Sequence, residues 1–347
     1  MKYIRIILII GGLATMSLVF EPVRSGIDLL NRAIPKWNRY GDLYSMTNIE
    51  RFKEVNFHQN RVIPEVHYSP TEILKNKDLY LMGDSFIEPI HTNQYISEKT
   101  EFIRIGISSK QVTLNKNHTN VLVIENVERA ICTRLGDSDY QELFMGKSGY
   151  YAQGKKQKDG LMNEPNASVF KEFGVNNVEN TLQNTLFNFR IILPLKQLKA
   201  AINEKIFGRI NSNNIISKNG KHIFYHDEAS LQKTDNSSSY CPINKNRLNS
   251  YIHNAEEITH HYKKMGFDEI YFIFIPNKAS ICAPNDHPYN HQIELLNEAK
   301  NENFKIINIY KDLKGHPELY HIGDGHWNSK GMILFKDKIN KLLSKGV

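Results

Sequence analysis

Five short apolar runs constrain the fold of this chain more than any other feature. They lie at residues 79–84, 102–107 (Phe-Ile-Arg-Ile-Gly-Ile), 120–125 (Asn-Val-Leu-Val-Ile-Glu), 269–275 (Glu-Ile-Tyr-Phe-Ile-Phe-Ile, stopped by Pro276) and 304–309. Runs of this length and continuity suit strands of a parallel sheet covered on both faces. Parallel strands need crossover connections, usually helices, and helical periods do fall between them. Residues 126–134 read as helix. Residues 247–265 place Leu248, Tyr251, Ile252, Ala255, Ile258, Tyr262 and Met265 on one stripe, with Gly266 as the stop. Residues 290–302 form a further helix, and 329–344 a last one capped by Asn328 or Ser329.

The pattern breaks between about residues 136 and 245. Residues 136–180 are polar and rich in Gly and Asn. Residues 180–208 read as a helix with Leu195, Leu198, Ile202 and Ile206 on one face and Lys196, Lys199, Lys205 and Arg209 on the others, which Pro194 should kink or split. A basic amphipathic helix of this kind lies on a membrane or a partner, or it packs on its own core; the second is commoner and is the expectation. Residues 215–225 read as a hairpin turning at Asn219-Gly220. The order is therefore β, β, β-α, insertion, α-β, α-β, α. That order predicts an α/β fold: a doubly wound parallel sheet in three α/β/α layers over residues 76–347, interrupted at about 136–245 by a mixed helix-plus-hairpin insertion.

The N-terminus carries a separate signal. Lys2 and Arg5 precede an apolar run from Ile6 to Phe20, which Glu21-Pro22 ends. Positive residues before an apolar core mark an export signal. The run is near the lower limit for crossing a bilayer, and no clear small-x-small cleavage site follows it. An uncleaved signal anchor over residues 1–21 is favoured, with the positive end inside and the rest exported; a cleaved signal peptide is the alternative. Residues 22–75, with prolines at 22, 35, 64 and 70, read as a juxtamembrane lead-in.

A net charge of +7 is spread along all 347 residues without a dense basic block. No zinc-finger or RNP-type signature accompanies it, so no nucleic acid is expected as a partner. The charge reads as a solvated basic surface, or as a face toward anionic lipid or polysaccharide. Cys132, Cys241 and Cys282 permit at most one internal disulfide, have no metal or redox spacing, and read as ordinary buried thiols.

The chemistry sits in two distant segments, Gly83-Asp84-Ser85-Phe86 and Gly323-Asp324-Gly325-His326-Trp327-Asn328. The first ends the 79–84 strand in a turn carrying a serine. The second puts an acid two residues from a histidine, just before the last helix. A serine hydroxyl is a weak nucleophile until a base takes its proton, and the base needs an acceptor to orient it. Ser85, His326 and Asp324 supply one of each. A triad is defined by geometry, so wide separation is no obstacle. Open α/β sheets place sites beyond the carboxyl ends of their strands, which brings both segments to one sheet edge. The backbone N–H of Ser85 is a natural oxyanion donor. The remaining histidines, including His260-His261, Asp286-His287 and His321, lack metal-ligand spacing. Neither a metal nor a cofactor is expected.

These segments resemble a known family. Gly83-Asp84-Ser85-Phe86 is similar to the nucleophile block of SGNH/GDSL hydrolases. Asp324-Gly325-His326-Trp327-Asn328, with Gly331 following, resembles the Asp-x-His-Trp signature of the DHHW branch, which includes accessory proteins of alginate and other exopolysaccharide O-acetylation. Val123 to Arg129 and Ile275-Pro276-Asn277-Lys278 extend the resemblance over roughly residues 75–135 and 245–345. The serine-first order is that of ordinary SGNH enzymes, and their Gly-x-Asn-Asp block is missing here. The resemblance implies an exported serine O-acyltransferase, acetyl being the expected group, that modifies a cell-surface or extracellular polysaccharide. An acetylesterase and a non-catalytic polysaccharide-binding partner are the alternatives. It implies Ser85 as nucleophile, His326 as general base and Asp324 as its orienter. Gly106, Asn126, Arg129, Lys278 and Trp327 are candidates for oxyanion or substrate contacts. It also implies a multi-spanning membrane-bound O-acyltransferase that delivers the acyl group, and a location on the periplasmic side of a bacterial inner membrane.

Overall fold

The computed structural model describes residues 40–105, 112–136, 140–145, 193–232 and 236–345, together with Ile6 and Ile9 in helical conformation. The expected signal segment otherwise lies outside the described residues, as do Gly106 and residues 180–192 of the expected insertion helix. Among the described residues no helix is long and apolar enough to cross a membrane.

The fold is α/β, with four parallel strands flanked by helices. In chain order the elements are α1 (Asp42–Thr47), β1 (Leu74–Gly83), β2 (Ser97–Arg104), β3 (Thr119–Val127), α2 (Ile131–Leu135), α3 (Leu193–Phe207), β4 (Asn214–Ile216), β5 (Ile223–Tyr225), α4 (His226–Ala229), α5 (Lys245–Lys264), β6 (Glu269–Ile275), α6 (Lys278–Cys282), α7 (Gln292–Glu298), α8 (Tyr310–Leu313) and α9 (Ser329–Ser344). The main sheet runs β2-β1-β3-β6, and every pairing in it is parallel. The last six residues of β1 and the last eight of β3 are buried, as two-sided cover requires. β2, at the edge, is largely half-exposed.

Several expectations shift for visible reasons. The 304–309 run forms no strand. It makes a single parallel bridge, with Phe272 N–H donating to Lys305 O and Ile307 N–H to Phe272 O, both at 2.8 Å, and then turns into α8. The expected 290–302 helix stops at Glu298, because the Asn301 side chain accepts from the Asn303 and Phe304 N–H groups in a local turn. The β4–β5 hairpin exists, but not with a two-residue turn. The Asn219 side chain bonds the Ser217 hydroxyl and the Lys221 N–H, and Ser217 N–H donates to His222 O, which closes a four-residue loop. α3 runs without a break from Pro194 to Phe207, and the residues before Leu193, on which the expected kink or split at Pro194 depends, lie outside the described residues.

The expectation that α3 packs its apolar stripe on the core is overturned. None of its residues is buried, and Leu195, Leu198, Ile202 and Ile206 are exposed. α5 and α9 behave as their stripes predict. Tyr251, Ala255 and Ile258 of α5 are fully buried, as are Phe335 and Ile339 of α9. Asn244 and Asn328 cap these two helices by accepting from Arg247 N–H at 2.8 Å and Lys330 N–H at 3.0 Å. Cys132, Cys241 and Cys282 are not in disulfides, and Cys241 and Cys282 are buried.

Candidate active site

The serine turn follows the last residue of β1. Asp84 organises it. Its N–H donates to Glu125 Oε2 at 2.9 Å, its Oδ1 accepts from Phe86 N–H at 2.9 Å, and its Oδ2 accepts from Arg134 at 2.6 Å. Its carbonyl accepts from the N–H groups of Ile87 and Glu88. The N–H groups on either side of Ser85 are thus committed to side-chain carboxyl groups. Among the described residues the Ser85 N–H has no acceptor, which leaves it open toward an oxyanion.

The histidine arrives on a loop whose stems pair. Tyr320 and Trp327 form an antiparallel bridge, and Asn328 N–H donates to Leu319 O at 2.9 Å. The loop brings His326 Nε2 to 2.8 Å from Ser85 Oγ. On the other side of the ring, Nδ1 lies 2.5 Å from Asp324 Oδ1, which also accepts the His326 backbone N–H at 2.9 Å. The Phe86 ring packs on the imidazole at 4.5 Å between centroids. Burial works to raise Asp324, but the hydrogen bond and charge of His326, with the N–H groups of His326 and Asp42, hold this carboxyl well below the usual range.

Around the loop stand residues that the sequence did not announce. Asp42 N–H donates to Asp324 Oδ2 at 3.1 Å, and Tyr44 N–H to Gly323 O at 2.9 Å. Asp42 accepts from Gly325 N–H at 3.1 Å, from Leu43 N–H at 2.7 Å and from the Tyr225 hydroxyl. Burial, and next the Asp324 carboxylate, push Asp42 up to about 7. Gly41 makes this approach feasible: at φ +102°, any side chain there would run into the Gly323 carbonyl. Glu54 accepts from Ile322 N–H at 3.0 Å and pairs with His321 Nδ1 at 2.9 Å. The stretch from Gly41 to Glu54, read from sequence only as part of a lead-in, therefore braces the histidine loop.

The remaining candidates divide. Trp327 is fully buried. Its indole N–H donates to Phe86 O at 2.9 Å, so it ties the histidine loop to the serine turn instead of facing a substrate. Lys278 is buried too, and its Nζ donates to the carbonyls of Ile322 at 2.8 Å and Asp324 at 3.1 Å; burial lowers its pKa. Both are positioning groups, which corrects the expectation of substrate contact for them. Arg129 pairs with buried Glu228 at 2.5 Å, and its guanidinium lies over the rings of Phe86 and Tyr225 at 5.4 and 5.2 Å. It borders the site with its charge already matched. Asn126 is fully buried near the end of β3, and its side-chain N and O atoms have no partner among the described residues. Gly106 lies outside the described residues.

Asp42, Asp324 and His326 each bring a ligand-type atom within 4.8 Å of the others. A cation would have to displace existing bonds. Both imidazole nitrogens are engaged by Ser85 and Asp324, and the Asp42 oxygens already accept from two N–H groups and a hydroxyl. Nothing in the sequence marked Asp42 or Tyr225, which join the site only through contacts across 282 and 183 residues of chain. Comparisons of the chain with protein-family models, with curated proteins and with solved structures return no match.

Proposed function

We propose that this chain is an exported serine O-acyltransferase that carries an acyl group, acetyl by preference, to a polysaccharide hydroxyl through an acyl-Ser85 intermediate. The observation behind this reading is the unbroken relay from Ser85 Oγ to His326 Nε2 at 2.8 Å and from His326 Nδ1 to Asp324 at 2.5 Å. Ser85 Oγ attacks the acyl carbonyl while His326 Nε2 takes its proton. The Ser85 N–H holds the oxyanion, and the donor's leaving group departs with the proton from His326. His326 then deprotonates the acceptor hydroxyl, which attacks the acyl-serine. Asp324 keeps the imidazole in the tautomer both steps need.

The strand order supports a doubly wound, SGNH-like architecture. β2 and β3 lie on opposite sides of β1, so the order reverses at the strand that carries the serine; in open α/β sheets that crevice is the usual ligand site. The export signal and the Asp-x-His-Trp element favour a cell-envelope acyltransferase served by a membrane-bound O-acyltransferase. Transferase and esterase share this relay and differ only in the acceptor. The test uses the full chain in mild detergent with a chromogenic acetyl ester, with and without a sugar oligomer. Acetyl transfer to the sugar that vanishes in Ser85→Ala and His326→Ala is expected. Triad-dependent release to water alone would assign an esterase. A serine-directed fluorophosphonate that labels wild type and Ser85→Ala equally would overturn the nucleophile assignment.

A further inference from the structure

α3 is assembled inside out. Its inward face is small and polar. Ala200 and Ala201 sit there, Gln197 donates to the Tyr44 hydroxyl at 3.0 Å, and Glu204, the helix's one acid, is held by Arg51 at 2.5–2.9 Å. Its outward face is the apolar one. Leu195, Leu198, Ile202, Ile206 and Phe207 are between 38% and 71% exposed, and the first four recur at three- and four-residue spacing as a single stripe. Lys196 and Lys199 flank the stripe on one side and Lys205 on the other. Beside the helix runs a groove of about 510 Å³, bordered among the described residues by Lys199, Arg209, Asn203 and Asn211 and by no acid.

A row of large aliphatic side chains left in water forgoes the gain of burying each of them. A monomeric soluble surface rarely keeps such a row contiguous. The basic margins select among possible covers. An apolar ridge edged by lysines matches the boundary of an anionic bilayer, where aliphatic side chains enter the acyl region and ammonium groups meet phosphates. Position in the fold agrees. α3 docks on α1 through Gln197 and Tyr44, and α1 is the first described helix after the apolar N-terminal run.

We propose that α3 is a membrane-surface helix: Leu195, Leu198, Ile202 and Ile206 enter an anionic leaflet, and the exposed Lys199, Lys205 and Arg209 meet lipid phosphate groups. The inference is independent of the chemistry assigned to Ser85.

The test places a reporter on the stripe of the full chain, Leu198→Trp, with Ile206→Trp as a second variant. Each is reconstituted into vesicles whose phosphatidylcholine acyl chains carry bromine, with or without phosphatidylglycerol. The parent protein supplies the Trp37 and Trp327 background, and Val55→Trp serves as an exposed control outside α3. The expected result is at least twofold quenching of the introduced tryptophan in anionic vesicles. Quenching should be weaker in zwitterionic vesicles and lost in a Lys199→Gln, Lys205→Gln background. Quenching no greater than at position 55 would overturn the proposal. So would equal quenching in neutral and anionic vesicles. A reporter already blue-shifted without vesicles would assign the stripe to a second copy or another segment of this chain, and would also overturn it.

Discussion

Replacing Glu125 by Gln tests how the serine turn is built. Glu125 lies fully buried near the end of β3, where Oε2 accepts the Asp84 N–H at 2.9 Å and Oε1 has no partner among the described residues. Burial, and next the Asp84 carboxylate, raise its pKa from 4.5 to about 8. Across that interval the folded chain keeps a proton that the unfolded chain releases, so stability falls as pH rises through it and levels off above. At about 1.4 kcal/mol per pH unit, the interval from 4.5 to about 8 amounts to about 5 kcal/mol, of which about 3 kcal/mol has been lost by pH 7. Glu125→Gln retains an oxygen for the Asp84 N–H and cannot titrate. Urea unfolding of the full chain in mild detergent, followed by near-ultraviolet circular dichroism from acid to mildly alkaline pH, measures the difference. The variant should gain several kcal/mol on wild type across the window and show little advantage below it. Profiles that stay parallel within about 1 kcal/mol would refute the assignment of a protonated, buried carboxyl behind the nucleophile turn.

Three further outcomes follow from the loop geometry. Asp324→Asn removes the carboxylate that fixes the imidazole, so the rate of Ser85 labelling by a fluorophosphonate should fall by about 10²–10⁴ while the circular dichroism spectrum is kept. Asp42→Asn keeps an oxygen for the Gly325 and Leu43 N–H groups but deletes a charge that appears as pH passes about 7; the labelling rate against pH should lose its component centred there. Lys278→Met strips the loop carbonyls of Ile322 and Asp324 of their donor. The folded state should lose about 2–4 kcal/mol in urea titrations, and labelling should slow even where the variant is fully folded.

Sequence reading succeeded where a feature is local and failed where it is tertiary. β1, β3 and β6 were legible because both faces of each are buried, which writes a continuous apolar run. The same signal misread residues 304–309, since an apolar run spent on one bridge and the entry to a helix looks no different from a strand. Ser85, Asp324 and His326 were legible because each sits in a short motif at a strand end or helix start. Asp42, Tyr225, Glu54 and Glu228 were not, since no spacing rule links a residue near position 42 to a loop near 324. For α3 the period gave the stripe correctly but carried no information on which way the stripe faces. Polar contacts such as Gln197 to Tyr44 and Glu204 to Arg51 hold the inward side, and these have no periodicity to read.

The same contacts define the smallest piece of this protein that can carry the site. Among the groups that hold the histidine loop are Trp327 on Phe86 O, Lys278 beneath the Ile322 and Asp324 carbonyls, Glu54 on Ile322, Asp42 on Asp324 and Gly325, and the Tyr44 N–H on Gly323 O. Three of these come from residues 42–54, before the first strand of the sheet. A catalytic relay must be held to within a fraction of an ångström to give its full effect, and loops achieve this only when their own backbone groups are satisfied. Cutting the chain at the start of β1 would leave the Ser85 turn intact on its strand. It would also remove Asp42 from the Asp324 carboxylate and Glu54 from His321. A fragment beginning at residue 74 should therefore fail to react at Ser85 with a serine-directed fluorophosphonate, whereas one beginning before residue 40 should react like the full chain.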